Sequence, residues 1–220
     1  MSRYTMHHLM GHIACRLITA LSLTEAEVYG EDNLKDLPRP FLLMMNHSSH
    51  WDPVEVWAYF PEFVNFLVKE ELHEVPIFGT MSALSGNIPV HRNGVDVKAI
   101  KMALRLLKDG VNLGIFAEGT RTEDGSIIPF KDGGVALASR AKVPIVPMYI
   151  SGTHKILPKK SRILKAGRVK LYILKPVTET MDSDCDKIRQ TQITREIELK
   201  IRDAREQEIA GWEPSRIVSV

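Results

Sequence analysis

The run Phe41-Leu42-Leu43-Met44-Met45, followed at once by Asn46-His47-Ser48-Ser49-His50-Trp51-Asp52, decides how the chain is read. Five consecutive apolar residues closed by a polar turn read as a buried strand. On an open α/β sheet the loop beyond a strand end is a common position for catalytic side chains. Here that loop carries a histidine and an aspartate five positions apart, a pair that can act as a base and its orienting carboxylate. Phe116-Ala117-Glu118-Gly119-Thr120-Arg121 repeats the pattern, an apolar strand ending in a charged turn. One strand end with a base and one with a fixed cation point to acyl or phosphoryl chemistry on an anionic substrate.

Working outward, strands are expected at 26–29, 41–45, 63–68, 87–91, 111–117, 143–150 and 169–174, and helices at 95–108, 132–141 and 182–208. Alternating strands and helices imply an α/β sheet covered by helices. Between residues 4 and 23, Met6, Leu9, Met10, Ile13, Leu17, Ala20 and Leu21 recur at helical spacing, with His8, His12, Arg16 and Thr19 largely on the other side. Such a helix either packs on its own domain or a partner, or lies in a membrane interface with its cations at the headgroups. Residues 1–24 are therefore read as an amphipathic appendage to a domain spanning 25–220.

The 220 residues are 44% hydrophobic and 25% charged, enough to bury a core in one ordinary domain. A net charge of +2 gives no electrostatic case for nucleic acid. Two cysteines, Cys15 and Cys185, without metal spacing suit a reducing compartment. No stretch approaches the roughly 18 consecutive apolar residues of a membrane span, and His7, His8, Gly11, His12 and Arg16 interrupt any export signal.

The spacing of His47 and Asp52 is by itself weak evidence, since a plain loop shows it often. With no GxSxG elbow to supply a nucleophile, the simplest scheme has His47 activate a hydroxyl on the substrate. His47, His50 and Asp52 are also metal-ligand types, which keeps a metal-dependent hydrolase open. Arg92, Arg121 and Lys131 lie behind strands, where they can hold phosphate. The amides of Gly133 and Gly134 at a helix start can add donors to an anion. Glu118 repels phosphate, so it pairs with a cation or holds the turn of Gly119 and Thr120. Neither GxxxxGK[ST] nor GxGxxG occurs. Val143-Pro144-Ile145-Val146-Pro147-Met148 reads as core, with an edge strand or the wall of an apolar tunnel as alternatives.

Taken together, these residues resemble the glycerolipid acyltransferases, and most closely the 1-acyl-glycerol-3-phosphate (lysophosphatidate) acyltransferases. Four blocks stand in that family's order: Asn46-His47 with Asp52, Gly86-x-Ile88-x-Val90-x-Arg92, Glu118-Gly119-Thr120-Arg121, and Val143-Pro144-Ile145-Val146-Pro147. Lys69-Glu70-Glu71-Leu72 and Pro76-Ile77-Phe78-Gly79 are similar to the segment between the first two blocks, and the likeness covers residues 28–150. His91 and Pro89 depart from the family's usual acidic and aromatic residues.

The resemblance implies a mixed, largely parallel sheet flanked by helices, with an N-terminal membrane-binding segment. It also implies His47 as general base, Asp52 as its orienter, and a phosphate site formed by Arg92, Arg121 and Lys131 with Glu118, Gly119 and Thr120. The implied reaction moves a fatty acyl group from acyl-CoA or acyl carrier protein, as donor substrates, to lysophosphatidate, with no further cofactor and no metal. The implied location is the cytoplasmic face of a membrane, peripheral or monotopic. Alternatives are a glycerol-3-phosphate or other lysolipid acyltransferase and a non-catalytic lipid-binding relative.

Overall fold

A computed structural model describes residues 3–69, 87–90, 96–161, 163–182, 185–211 and 218–219. Among them one sheet contains β1 (Thr24–Tyr29), β2 (Leu42–Met45), β3 (Asn65–Lys69), β4 (Ile88–Val90), β5 (Leu113–Phe116), β6 (Ile145–Ser151), β7 (Gly167–Ile173) and β8 (Val218–Ser219). Their order is β4-β3-β5-β2-β6-β7-β1-β8. β2 is parallel to β5 and β6, and β3 to β4 and β5, so five adjacent strands share one direction. β7 is antiparallel to β6, β1 is parallel to β7, and β8 is antiparallel to β1. The sheet is mixed and largely parallel, as the resemblance implies.

Side chains of period two feed two cores. Leu43, Met45, Phe66, Val146 and Met148 face one side, and Leu42, Met44, Leu113 and Ile145 the other. The first side is covered by α1 (Arg3–Leu21), α2 (Asp52–Tyr59) and the short α3 (Thr153–Ile156). The second is covered by α4 (Val97–Lys108), α5 (Gly133–Ala141) and α6 (Lys187–Ile209). Helices on both faces explain the unbroken apolar run 41–45, all of it fully buried.

Sequence reading passes over α2, whose local signal is Pro53 in the first turn after Asp52. It also offers an edge position for the 143–148 block. That alternative is corrected: β6 is interior, paired with β2 and β7 along its length. The Pro147 carbonyl accepts from Leu174 N at 2.9 Å, so the proline keeps its acceptor role although it lacks a donor.

In α1 the polar side faces inward. Cys15 and Thr19 are fully buried, Arg16 Nε donates to the Ala58 carbonyl at 2.9 Å, and His12 Nδ1 lies 2.6 Å from the Trp57 carbonyl. These carbonyls belong to the last turn of α2, where helix acceptors lack partners and cations are favoured. Of the two readings of this helix, packing on its own domain is seen: His12 is half-buried against α2, and Arg16, though exposed, is tied to it. Leu9, Met10, Ile13, Leu17 and Leu21 are exposed, as is Arg16 apart from its contact with α2. Among the described residues, no helix is long and apolar enough to cross a membrane. Burial pushes the Cys15 thiol up to about 12, so it stays a thiol at neutral pH.

β2, β5 and β6 end in register, with Met45 opposite both Phe116 and Met148. The loops that follow these strands open on one edge of the sheet. Beyond β6 the chain turns at Gly152, whose φ is 90° and whose added Cβ would lie 2.0 Å from the Arg168 carbonyl oxygen. No side chain fits there. Gly152→Ala should cost about 2–4 kcal/mol of stability, measurable by urea unfolding.

Candidate active site

The loop after β2 folds around one carboxylate. Asp52 is fully buried at the start of α2. Its Oδ2 accepts from Ser48 N at 2.9 Å and Ser49 N at 3.0 Å, and lies 2.8 Å from His47 Nδ1. Its Oδ1 accepts from the Thr153 hydroxyl, and Thr153 Oγ1 is also 3.0 Å from Ser48 Oγ. An ionised carboxylate is acceptor-only, so the His47 contact places the ring hydrogen on Nδ1. Nε2 then carries the lone pair, and among the described residues it has no hydrogen-bond partner. The ring stacks on Phe116, with centroids 4.0 Å apart and planes inclined by 20°. The ring is thus fixed in tautomer and in plane.

The His47 backbone is held as firmly as its ring. Its N–H donates to Glu118 Oε1 at 2.9 Å, and its carbonyl accepts from Thr122 N at 3.0 Å. Next to it, the Asn46 side chain acts as one more rung of the β2–β6 ladder. Nδ2 donates to the Ile150 carbonyl at 3.0 Å, and Oδ1 accepts from Ile150 N at 2.8 Å. Glu118 also accepts from Ile128 N at 3.4 Å and is 1% exposed, so it is no substrate contact. It holds the turn, one of the two options its charge left open, and so shapes the site from inside.

Thr120, Arg121 and Lys131 are on the accessible side of this turn, with Thr120 and Lys131 exposed and Arg121 half-buried. Gly119 has φ of 69°, and a Cβ added there would meet Lys131 Nζ at 2.8 Å. The lysine therefore lies along the turn backbone at Gly119. Lys131 N donates to the Ala117 carbonyl at 2.9 Å, which fixes the approach of the second segment. Arg92 and His91 follow β4 but lie outside the described residues, as do 70–86 with most of the segment between the first two blocks. Gly133 and Gly134 open α5 and line a cavity of about 470 Å³ between α4 and α5, walled mainly by apolar side chains such as Leu67, Ala103 and Ile115. Among the described residues, no three His, Cys, Asp or Glu side chains are grouped to hold a metal. Asp52 Oδ2 already faces three donors.

The family model described as Acyltransferase matches residues 25–151. The chain belongs to the acyltransferase family. It is 30% identical over 191 residues to a chloroplast 1-acyl-sn-glycerol-3-phosphate acyltransferase of Brassica napus, covering 85% of this chain and 55% of that protein. It is 32% identical over 166 residues to the 1-acyl-sn-glycerol-3-phosphate acyltransferase of Saccharomyces cerevisiae, covering 73% of this chain and 54% of that one. The chain thus spans about half the length of these curated relatives. The crystal structure of the 1-acyl-sn-glycerophosphate acyltransferase PlsC from Thermotoga maritima superposes with a TM-score of 0.75 at 27% identity, covering 96% of this chain and 81% of that one.

In this acyltransferase the sequence singles out His47 and Asp52 but passes over a partner of Asp52 and the helix that braces the neighbouring turn. Thr153 leaves no signal beyond following Ser151-Gly152, because its contact with Asp52 spans 101 positions. The final helix, functionally silent in sequence, braces the site. Glu198 Oε2 accepts from Phe130 N at 3.0 Å, and Arg205 Nε donates to the Gly125 carbonyl at 3.1 Å. Burial pushes the Glu198 carboxyl upward, but the Phe130 N–H and the Arg202 and Arg195 guanidiniums outweigh it and hold it below its ordinary value.

Two outcomes follow from this geometry. Thr153→Val should lower kcat roughly ten- to a hundredfold with KM little changed, and Thr153→Ser should restore it; steady-state kinetics on the three proteins decides this. Burial raises the Glu118 carboxyl from 4.5 to about 7, against the pull of the His47 and Ile128 N–H groups. The folded chain therefore holds this proton where the unfolded chain has lost it. Its contribution to stability is full below 4.5 and is lost as pH rises through about 7. Glu118→Gln cannot ionise and should lack that slope in thermal unfolding across this range.

Proposed function

We propose that the chain transfers a fatty acyl group from an acyl thioester to the free hydroxyl of 1-acyl-glycerol 3-phosphate, forming phosphatidate for phospholipid biosynthesis. The observation that carries this reading is a histidine oriented through Nδ1 by a buried carboxylate, its Nε2 left for a substrate, beside a turn bearing Arg121 and Lys131. The relatives named above as acting on this acceptor support it.

In this scheme the acceptor hydroxyl donates its proton to His47 Nε2 as its oxygen attacks the thioester carbonyl. The tetrahedral species collapses, the C–S bond breaks, and the thiolate leaves as the thiol with the proton held by His47. Asp52 keeps the tautomer and stabilises the transient imidazolium. General-base assistance of this kind contributes about 10²–10⁴-fold. Arg121 and Lys131, joined by Arg92, hold the acceptor phosphate and so place its hydroxyl. Positioning of a reactant lowers a barrier by up to about 7–11 kcal/mol. A thioester is already activated, so the scheme needs neither an acyl-enzyme nor a metal. Acyl-CoA and acyl carrier protein both fit as donor.

Acceptor and product are both membrane lipids, so the protein works at a membrane surface. The outward apolar face of α1 (Leu9, Met10, Ile13, Leu17 and Leu21) supports a peripheral or monotopic attachment. We place it on the cytoplasmic face, in keeping with two free cysteines.

Thiol release from an acyl-CoA, measured with and without lysophosphatidate in detergent, tests the reading. Release should require the acceptor and fall by at least about a thousandfold in His47→Ala with the fold retained. Release that ignores the acceptor identifies a thioesterase instead.

A further inference from the structure

Resting on the membrane reading above, we propose that the loop between β6 and β7 is a second membrane contact, one that takes anionic phospholipid and seats the site mouth against the bilayer. Its sequence, Leu157-Pro158-Lys159-Lys160-Ser161-Arg162-Ile163-Leu164-Lys165, sets two aliphatic residues among cations. Ile163 is 73% exposed and Leu164 39%. Their exposure is built into the loop. Ser161 N donates to the Pro158 carbonyl at 2.8 Å, Ile163 N to Ser161 Oγ at 3.0 Å, and Lys165 N to the Ile156 carbonyl at 2.9 Å. Backbone held at both ends of the turn presents the aliphatic pair outward.

Topology puts this loop at the catalytic edge. β7 is antiparallel to β6, so β7 begins where β6 ends, with Lys170 opposite Ser151. β1 runs parallel to β7, and Thr24 pairs with Gly167. The start of β1 is therefore at the same edge, preceded by Leu21 and Leu23, which are 84% and 73% exposed. Two exposed aliphatic pairs, from the end of α1 and from the loop, thus flank one edge of the sheet. The loop also touches the substrate turn directly: Lys159 Nζ donates to the Arg121 carbonyl at 3.0 Å, and Lys160 Nζ lies 3.2 Å from Glu123 Oε1.

Aliphatic side chains partition into the acyl boundary while lysines remain with anionic headgroups. Lys160, 82% exposed in its side chain, and the exposed Lys165 are placed for that role. Glu123 is the acidic partner of Lys160 here, and the exposed Lys165 adds a further cation beside the aliphatic pair, a mix that suits an anionic headgroup layer better than a neutral protein partner. With the loop docked, the turn that carries Arg121 lies next to the surface from which a lysophosphatidate enters.

The test is vesicle co-sedimentation of the full chain, using phosphatidylcholine with and without phosphatidylglycerol. Ile163→Ser with Leu164→Ser should weaken binding to the anionic vesicles about tenfold. Lys160→Gln with Lys165→Gln should remove most of the preference for phosphatidylglycerol. Transfer to a short-chain lysophosphatidate dispersed below its micelle concentration should stay at the unsubstituted level in the Ile163→Ser, Leu164→Ser protein. Loop variants that bind vesicles as the unsubstituted chain does overturn the loop's role and leave the α1 attachment standing. Failure of the unsubstituted chain to bind either vesicle overturns both. Loss of transfer to the dispersed acceptor assigns the loop to the site's own architecture and overturns the proposal.

Discussion

A single buried carboxylate organises the centre of this protein. Asp52 is removed from water, and an unpaired charge there would cost several kcal/mol. Four donors from two segments offset that cost: two amides and a ring nitrogen from the loop after β2, and the Thr153 hydroxyl from the turn after β6. Folding of the turn and orientation of the base are thereby the same event. The loop cannot adopt another shape without leaving the carboxylate unsatisfied, and the His47 ring cannot rotate without losing its partner. Stacking on Phe116 adds a second restraint from a neighbouring strand.

The same economy of parts joins the catalytic loop to the substrate turn. Glu118 and Thr122 bind the N–H and the carbonyl of His47, so the base and the cation-bearing turn move as one body. Glu118 is inward while Arg121 and Lys131 are on the accessible side. Within the four residues 118–121 the carboxyl is thus turned inward, and the cations of Arg121 and, from the next segment, Lys131 are left on the outer side. From the opposite face, α6 fixes the far end of the turn segment through Glu198 and Arg205. A helix about seventy positions later in the chain thus braces the segment that carries Arg121 and Lys131.

The inverted polarity of α1 carries a related lesson. His12 and Arg16 complete the carbonyl end of α2, the helix that begins with Asp52, while Leu9, Met10, Ile13, Leu17 and Leu21 stay exposed. A helix that caps the catalytic helix and also offers an apolar face couples the site to whatever covers that face.

The sequence by itself determined the alternation of strands and helices, because buried runs such as 41–45 and periodic stretches such as 97–108 are set by local pattern. It also marked His47, Asp52, Arg121 and Lys131, since they stand at the ends of those runs. Tertiary structure alone decided the rest. Thr153 reaches Asp52 across 101 positions, Glu198 reaches Phe130 across 68, and Asn46 binds Ile150 across 104. Each depends on β6 lying next to β2 or on α6 crossing the sheet, and no local periodicity encodes which strands become neighbours. Whether Glu118 faces outward or the interior, and whether His12 faces water or a helix end, was settled in the same way. Charge allows both positions, and only burial and the presence of an unpaired backbone partner select one.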